Sequence, residues 1–335
     1  MAPIKSSLAR SVSKLLGVQK DTDLSLRGDV QTSRTPPPFV ASGGNVNGLE
    51  PGNGYKYHTF TSNGPATFTV TSGSKEVEVL IVAGGAGSGP NQYHPGGGGA
   101  GGLVHGTATI TIGTFPVVVG DGGSSGPNPA VGQNSSFSTA TATGGGRAAH
   151  YNTNGSGYGS GTNPWGQGGS GGGGGAGGGG GPNQFYAGPG TQAPQPLSGS
   201  TLTGYGNPGG DGTVSPNNYG GGGGGAGETG YGGSHPTKPA RGGDGRQYPQ
   251  FTGPLIGVPG LAPHNGYYAG GGGGGTHPGG SSTGGLGGGG NGSGTNGAPG
   301  VDNTGGGAGG SERDGSSSPS ITGGSGIVIV RYAVD

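Results

Sequence analysis

The sequence predicts a mainly β protein that carries a long insertion of polyglycine II helices. Short runs of alternating apolar and polar residues occupy residues 55–143, and one more apolar strand ends the chain at residues 326–335. Between them glycine dominates: the chain has 98 glycines in 335 residues, whereas the ordinary share is about 7%. We therefore expect a small β-sandwich closed by the C-terminal strand, with residues 144–325 inserted as a glycine-rich bundle.

Composition excludes several classes of protein. Only 8% of the residues are charged and the formal net charge is zero, so no long-range field attracts nucleic acid or an acidic membrane. The chain has no cysteine, which excludes disulfides and zinc-thiolate sites. No segment has the roughly 20 apolar residues of a membrane span, and Arg10 and Lys14 interrupt the only apolar stretch near the N-terminus. We expect no nucleic-acid partner, no membrane insertion and no secretory signal.

Residues 1–40 predict an N-terminal anchor that contains a short amphipathic helix. Four apolar residues fall on one helical face: Leu8, Val12, Leu15 and Leu16. One short helix cannot bury its apolar face alone. Two interpretations stay open, since the helix could dock on a partner protein or pack on its own chain. Residues 41–54 are expected to form a linker to the β-domain.

The first strands of the β-domain are predicted from alternation and turn residues. Residues 55–60 and 66–70 alternate in a period of two, and Asn63-Gly64 lies between them, which is typical of a hairpin. Residues 77–82 form an apolar run that predicts a buried strand.

Further strands are expected later in the β-domain and at the end of the chain. Residues 107–112 and 115–119 predict a second hairpin, and residues 134–137 and 139–143 predict two weaker strands. Residues 326–332 have high β-propensity. An unpaired apolar strand would promote aggregation, so we expect this last strand to pair with the N-terminal strands.

The insertion is interpreted from its glycine runs, of which residues 171–181 are interrupted by one alanine. Collagen is excluded because the Gly-X-Y period is absent and proline is only 27 of 335 residues. A flexible linker and a bundle of polyglycine II helices both remain. We favour the bundle, because bare glycine segments can approach closely enough to hydrogen-bond with one another, and because aromatic residues punctuate the runs.

Five segments carry a resemblance to a known family. Residues 57–62, 79–85, 96–103 and 323–332 resemble the glycine-rich domain of bacteriophage fibre and virion structural proteins of marine phages, and the glycine blocks are similar to those of T4-like distal tail-fibre adhesins. Residues 4–17 resemble the start of cyanophage-type virion proteins. The first resemblance covers residues 55–335.

This resemblance implies a phage virion fibre or tip protein that binds other virion proteins through residues 1–40. It would be made in the cytoplasm of the infected host and released in the virion by lysis. A homotrimer is an assembly that such fibres commonly adopt. The receptor would be a host cell-surface glycan or an outer-membrane protein.

Aromatic residues in the turns between glycine runs are the candidate receptor-binding residues, since turns on a rigid scaffold commonly carry binding. They are Tyr93, Tyr151, Trp165, Phe185, Tyr186, Tyr267 and Tyr268. The plainer interpretation is that these aromatic side chains only cover the glycine helices. Two other functions also stay open: a capsid or neck fibre that acts as a spacer, and a cellular glycine-rich protein that binds ice or a wall polymer.

Motifs for catalysis and cofactors are missing from the sequence. No Gly-Lys-Ser/Thr follows a glycine run, so no phosphate-binding P-loop is predicted. Gly-Gly-Asp-Gly at residues 209–212 and 242–245 resembles a calcium β-roll repeat, but these units occur in tandem and here they do not. The carboxylates are too sparse to nominate a glycosidase pair. We expect no enzyme, catalytic residue, metal or cofactor.

Overall fold

The structure, a computed structural model, describes eight ranges of the chain: 37–88, 94–126, 130–149, 166–176, 186–213, 218–276, 280–311 and 321–334. Backbone contacts divide the chain into two units, Met1–Pro38 and Phe39–Asp335. The second unit contains all the elements that follow. The anchor residues Leu8, Val12, Leu15 and Leu16 lie outside the described residues.

The second unit is mainly β. Its strands are β1 (Val40–Ser42), β2 (Val46–Leu49), β3 (Tyr55–Phe60), β4 (Gly64–Val82), β5 (Leu103–Val119), β6 (Ser135–Phe137), β7 (Ala140–Ala142), β8 (Gln195–Leu197), β9 (Ser200–Tyr205), β10 (Arg246–Gln247), β11 (Tyr267–Tyr268), β12 (Ser281–Ser282), β13 (Gly292–Ser293) and β14 (Ile327–Ala333). Two short 3-10 helices, Pro249–Phe251 and Pro259–His264, lie between β10 and β11.

Ten of these strands form one antiparallel sheet in the order β2-β3-β14-β4-β5-β6-β7, with β1 on β4, and β9 joining β8 to β5. The last strand, β14, lies between β3 and β4, so that Val330 faces His58 on one side and Val79 on the other. This is the pairing that the sequence predicts for it. The N- and C-terminal parts of the second unit therefore meet in the centre of the sheet.

Two predicted hairpins are wrong. The segments 55–60 and 66–70 do not pair with each other, because β14 occupies the position between β3 and β4. The second predicted hairpin, residues 107–119, is part of the continuous strand β5, which pairs with β4 along its length. A turn was expected near Gly113. At that position β5 lies opposite a bulge in β4, between Val70 and Ser74, which interrupts the regular pairing of the two strands. A bulge lets a strand bend without reversing the chain.

The prediction of a linker at residues 41–54 also needs correction. Strand β1 pairs with β4, and β2 pairs with β3, so this part of the chain belongs to the sheet. Glycine and asparagine suggested a linker, but here they make the turn between two short strands. Gly43 and Gly44 have φ values of +132° and +94°, a backbone region that only glycine enters readily.

Apolar side chains cover both faces of the sheet. Along β14, Val328 and Val330 face a first core, which also includes residues of β4 to β9 such as Phe68. Ile327 and Ile329 face the opposite way, into a second core. That second core is completed by residues 248–268, which run from the end of β10 through β11, and its main contributors there are Tyr248, Phe251, Ile256, Leu261 and Tyr268. Part of the glycine-rich insertion therefore packs directly on the sheet.

The glycine segments are joined by backbone hydrogen bonds that repeat every third residue. From Gly96 to Gly102, successive N–H groups donate in rotation to three neighbours, the segments 143–149, 221–224 and 305–308. Each neighbour therefore receives every third N–H group. The same rotation occurs in segment 83–88, whose partners are 99–102, 130–133 and 321–324, and in segment 220–226, whose partners are 269–275, 171–174 and 228–231.

Glycine is required in this network because the neighbouring backbones leave no space for a side chain. A Cβ added at Gly97 would collide with the carbonyl oxygen of Gly272, and one at Gly101 with that of Ala83. No glycine from Gly96 to Gly102 has a φ between +20° and +160°, so an alanine could adopt the backbone conformation there. Ala100 is tolerated because its side chain points into the second core. Close approach of neighbouring backbones therefore explains the glycine runs.

Candidate binding surface

The glycine segments end in a layer in which distant parts of the chain lie side by side. The hydrogen bonds of this layer, donor first, join Ser88 to Ile321, Ala176 to His94, Gly96 to Ala149, and Gly275 to Pro95. These residues lie at or next to the ends of five stretches that are not among the described residues: 89–93, 150–165, 177–185, 277–279 and 312–320. Segments 83–88 and 94–102 connect this layer to β4 and β5. We call this set of residues the far layer, because it lies at the opposite end of the segments from the sheet.

Four of the predicted receptor-binding residues lie outside the described residues: Tyr93, Tyr151, Trp165 and Phe185. Tyr186 is described and exposed, with 38% of its surface accessible. Its neighbour Ala187 donates its N–H to the Asp211 carboxylate at 2.8 Å. Because Gly174 in turn donates to Gly210, Tyr186 lies close to the far layer.

The prediction that Tyr268 contacts a receptor is wrong. Its side chain is 1% exposed, and its hydroxyl donates to the carbonyl of Phe251 at 2.5 Å within the second core. Burial raises the pKa of this hydroxyl above its ordinary value. Tyr267 is half-buried, and both residues form β11, which pairs with β10. The two tyrosines therefore lie next to the sheet and not at the far layer.

A polar cluster on the second-core side of the sheet joins the sheet to the insertion. Glu78 of β4 accepts hydrogen bonds from His105 and Gln250 at 2.8 Å, and from Arg331 of β14 at 2.6 Å. Burial opposes ionisation, but these three donors outweigh it and hold the pKa of Glu78 at about 2. A carboxylate engaged by three donors holds parts of the chain together and is unsuited to proton transfer near neutral pH.

A second charged cluster surrounds Tyr231 in the insertion. Its hydroxyl donates to Glu228, and Lys238 donates to that hydroxyl at 3.1 Å. Arg241 bridges Glu228 and Asp244 at 3.2 and 2.6 Å. Burial opposes ionisation of Glu228, but the bonds from Tyr231 and the Asp244 backbone, together with the nearby cations, lower its pKa. The acids and bases of this cluster neutralise one another.

An open cleft of about 470 Å³ lies beside these residues. One wall is formed by Gly209–Thr213, and the other by residues between Thr229 and Ser234. Two hydrogen bonds join the two segments that carry these walls: Gly233 donates to the Asp211 carbonyl at 2.9 Å, and Gly230 donates to the carbonyl of Pro208, which precedes the first wall, at 3.0 Å. The volume lies within the usual range of small-molecule sites.

The sequence predicts no site at this cleft: its residues 209–212 resemble only an isolated calcium β-roll repeat. The sequence feature that could have indicated a binding site is an aspartate flanked by glycines, Gly210-Asp211-Gly212. Because glycine has no side chain, such neighbours leave the carboxylate accessible to a ligand. The second wall comes from a different glycine segment, and its position could not be read from the sequence.

Neither metal binding nor membrane crossing finds support in the part of the chain that the structure describes. Among those residues, no three His, Cys, Asp or Glu side chains gather closely enough to hold a metal ion. Within the same residues, no helix has the length and apolarity that crossing a membrane requires.

The chain matches the model of a known family. The profile described as "Glycine-rich domain" matches residues 61–333, which include both the sheet from Gly64 onward and the whole glycine insertion. No curated protein matches the chain.

Proposed function

We propose that this chain, which belongs to the glycine-rich domain family, is a non-enzymatic fibre or tip protein of a phage virion. In this proposal residues 1–40 bind other virion proteins, and the turns of the glycine region contact the host. The receptor is a host cell-surface glycan or an outer-membrane protein. The protein is made in the cytoplasm of the infected cell and released in the virion by lysis, and a homotrimer is the assembly to test first.

The observation that carries this proposal is the three-residue rotation of hydrogen bonds among glycine segments. A polyglycine II helix has three residues per turn and no internal hydrogen bonds, so successive N–H groups point to three different neighbours. Segments 83–88, 96–102 and 220–226 each make this pattern with three partners. We therefore infer that the insertion forms a bundle of polyglycine II helices, and that segments 83–88 and 96–102, which the sequence assigned to the β-domain, belong to the same bundle.

The β part is proposed to be a small sandwich closed by β14. In support, residues from both sides of the β4 bulge, Val70 and Val77, belong to the same first core. A strand that bends at a bulge can contribute to both layers of a sandwich. In this arrangement the sandwich is the base of the bundle, and β14 holds the C-terminal part of the chain in that base by pairing with β3 and β4.

The far layer supports a binding role for the bundle. It brings together five stretches that are separated widely in sequence, and a backbone hydrogen bond holds the chain within two residues of at least one border of each stretch. Variable turns on a rigid base are a common arrangement for recognition. Tyr186 is the described aromatic residue that best fits this role, because it is exposed and lies close to the far layer.

Hydrogen exchange on the full chain tests the bundle. We expect the amides of Gly96–Gly102 to exchange at least about a hundredfold more slowly than a random coil, because ordered and buried backbone bonds must open first. The exposed turn at Gly52 and Gly54 provides an internal reference, since nothing lies within 4 Å of a Cβ at either residue. Random-coil exchange throughout Gly96–Gly102 would disprove the bundle.

Adsorption of phage particles tests the receptor role. Particles that carry Tyr186→Ala should adsorb to host cells more weakly, whereas Tyr267→Ala, on the sheet side of the bundle, should leave adsorption unchanged. Equal adsorption by wild type and Tyr186→Ala, with stability unaltered, would count against Tyr186 as a receptor contact. Deletion of residues 1–38 should abolish incorporation into particles, and normal incorporation would contradict the anchor.

The alternative is a capsid or neck fibre that acts as a spacer without binding a receptor. The same rigid bundle would serve as a stiff rod in that role. The two functions differ in one result: a spacer requires incorporation through residues 1–40, but its particles adsorb normally whichever turn of the glycine region is altered.

A further inference from the structure

We infer that the cleft between Gly209–Thr213 and residues 229–234 binds a neutral sugar unit, with the Asp211 carboxylate as its main hydrogen-bond acceptor. This inference deepens the proposed function, on which it rests for the biological source of the sugar, a host cell-surface glycan. The cleft is lined by residues of two neighbouring glycine segments.

The chemistry of the lining selects the class of ligand. Among the described residues that line it are one carboxylate, Asp211, three hydroxyl side chains, Thr213, Thr229 and Ser234, and otherwise glycines. Within that described lining there is no lysine, arginine or histidine, so an anionic ligand would meet the carboxylate without a compensating cation beside it. A neutral molecule with several hydroxyl groups matches the lining, because each hydroxyl both donates and accepts.

A metal ion fits this cleft poorly. Calcium takes six to eight oxygen ligands at close range, whereas the described lining residues provide a single carboxylate, in a cavity of about 470 Å³. That volume lies within the range of pockets that hold small organic molecules. Size and the sparse charge therefore both favour a sugar unit over an ion.

The carboxylate is held in a fixed orientation. One oxygen of Asp211 accepts the Ala187 N–H at 2.8 Å, and the backbone carbonyl of Asp211 accepts the Gly233 N–H at 2.9 Å. Both anchors come from other segments of the bundle. An acceptor that is oriented before the ligand arrives loses less entropy on binding.

Gly232 offers a direct way to obstruct the cleft. A Cβ at Gly232 would approach only the backbone of Asp211, at 3.2 and 3.8 Å, and φ at Gly232 lies outside the positive range. By contrast, a Cβ at the neighbouring lining residue Gly230 would collide with the Gly222 carbonyl in the bundle. Gly232→Ala therefore adds a methyl group beside Asp211, with a much milder backbone contact than the same change at Gly230.

The test is titration of the full chain with defined probes, followed by amide NMR. The neutral probes are maltotriose and chitotriose, the anionic probe is glucuronic acid, and the cation probe is calcium chloride. We expect at least one neutral probe to shift the amides of Gly209–Thr213 and Gly232 with saturation. Gly232→Ala and Asp211→Asn should each weaken that binding by about tenfold, the discrimination expected when one polar or steric contact changes.

Gly260→Ala is the matched control, because a Cβ at Gly260 meets nothing within 4 Å and Gly260 lies outside the cleft. It should bind the neutral probe as wild type does. Asp211→Asn keeps an oxygen that can accept the Ala187 N–H, so it tests the carboxylate even if Gly232→Ala fails to fold.

Three results would overturn the inference: no saturable shift with either neutral probe, stronger binding of glucuronic acid or calcium at the same amides, or unchanged binding in both cleft variants. Failure of the proposed function gives a different pattern. In that case the neutral probe binds the cleft, but particles with Gly232→Ala and particles with Tyr186→Ala both adsorb to host cells as wild type does.

Discussion

Ile329 in the sheet and Gly97 in the glycine bundle are both buried, but by different kinds of atoms. Ile329 is packed among apolar side chains of the second core, while its strand pairs with β3 and β4. Gly97 is enclosed by backbone: its N–H donates to the Gly221 carbonyl at 2.9 Å, and the Gly272 carbonyl occupies the place of a side chain. Packed apolar side chains thus stabilise the sheet, whereas the bundle is stable because its residues have no side chains that would separate the backbones.

This difference shows that one chain can have two kinds of interior: one is destabilised when side-chain atoms are removed, and the other when they are added. A side chain removed from the sheet leaves a cavity, and atoms lost from a packed core are costly. A side chain added to the bundle separates backbones whose hydrogen bonds depend on close approach. The following four predictions test this contrast in order of decreasing effect.

Removal of apolar volume from the sheet should have the largest effect. Ile329→Ala should lower the free energy of unfolding by about 2–5 kcal/mol, because it leaves a cavity in the second core. Ile112→Ala is the matched control, since Ile112 is 66% exposed, and it should change stability by less than about 0.5 kcal/mol. Urea denaturation of both variants measures the difference, and equal losses would contradict it.

Addition of a single methyl group to the bundle should come next. Gly97→Ala should lower the free energy of unfolding by about 3 kcal/mol, the upper end for overpacking, because the atom it meets is backbone and cannot rotate away. Gly260→Ala adds the same methyl group in open space and should leave urea stability unchanged. A Gly97→Ala protein as stable as the control would show that the segments do not pack closely.

Acid should weaken the junction between the sheet and the insertion. The pKa of Glu78 is about 2 in the folded chain, against an ordinary value of 4.5. The unfolded chain therefore binds the proton first, and the stability that Glu78 provides is present above pH 4.5 and lost as the pH falls towards 2.

The corresponding variant is Glu78→Gln, which should be less stable than wild type by about 2 kcal/mol at pH 7, since three donors lose their charged acceptor. That difference should shrink steadily between pH 4.5 and pH 2. Thermal unfolding of both proteins across this range measures it. A difference that stays constant with pH would show that the Glu78 carboxylate is not responsible.

An exposed ion pair between β3 and the residue after β2 should have the smallest effect. Lys56 and Glu50 are 2.6 Å apart, but their side chains are 32% and 50% exposed. Glu50→Gln should change the free energy of unfolding by less than about 0.5 kcal/mol, because water and salt screen the pair. Urea denaturation at low and high salt is the measurement, and a loss as large as that of Glu78→Gln would refute this ranking.

Local composition was enough to predict several parts of the fold. The apolar runs at residues 77–82 and 326–332 predicted strands, and both lie in the central sheet within β4 and β14. Density of glycine predicted that residues 144–325 would not form an ordinary apolar core. That is wrong for Leu197, Leu202 and residues 248–268, which join the two apolar cores of the sheet. These features follow from side-chain volume and β-propensity, which act over a few neighbouring residues.

Strand neighbours were not available from the sequence. Asn63-Gly64 favoured a hairpin between β3 and β4, yet β14 lies between them, although more than 240 residues separate it from β4. A local turn preference contributes little against the burial of β14 on both faces of the sheet. Long-range pairing is decided by the total apolar area covered, which no short segment contains.

The sequence by itself determined which two kinds of segment build this protein: apolar segments that form strands, and glycine segments that pack through their backbone. Tertiary structure alone decided their arrangement. It placed Tyr268 in the second core rather than at the surface, and it brought Asp211 opposite Gly232 to form a cleft. The physical reason is that composition limits which contacts a segment can make, whereas the choice among them depends on which distant segments fill the space around it.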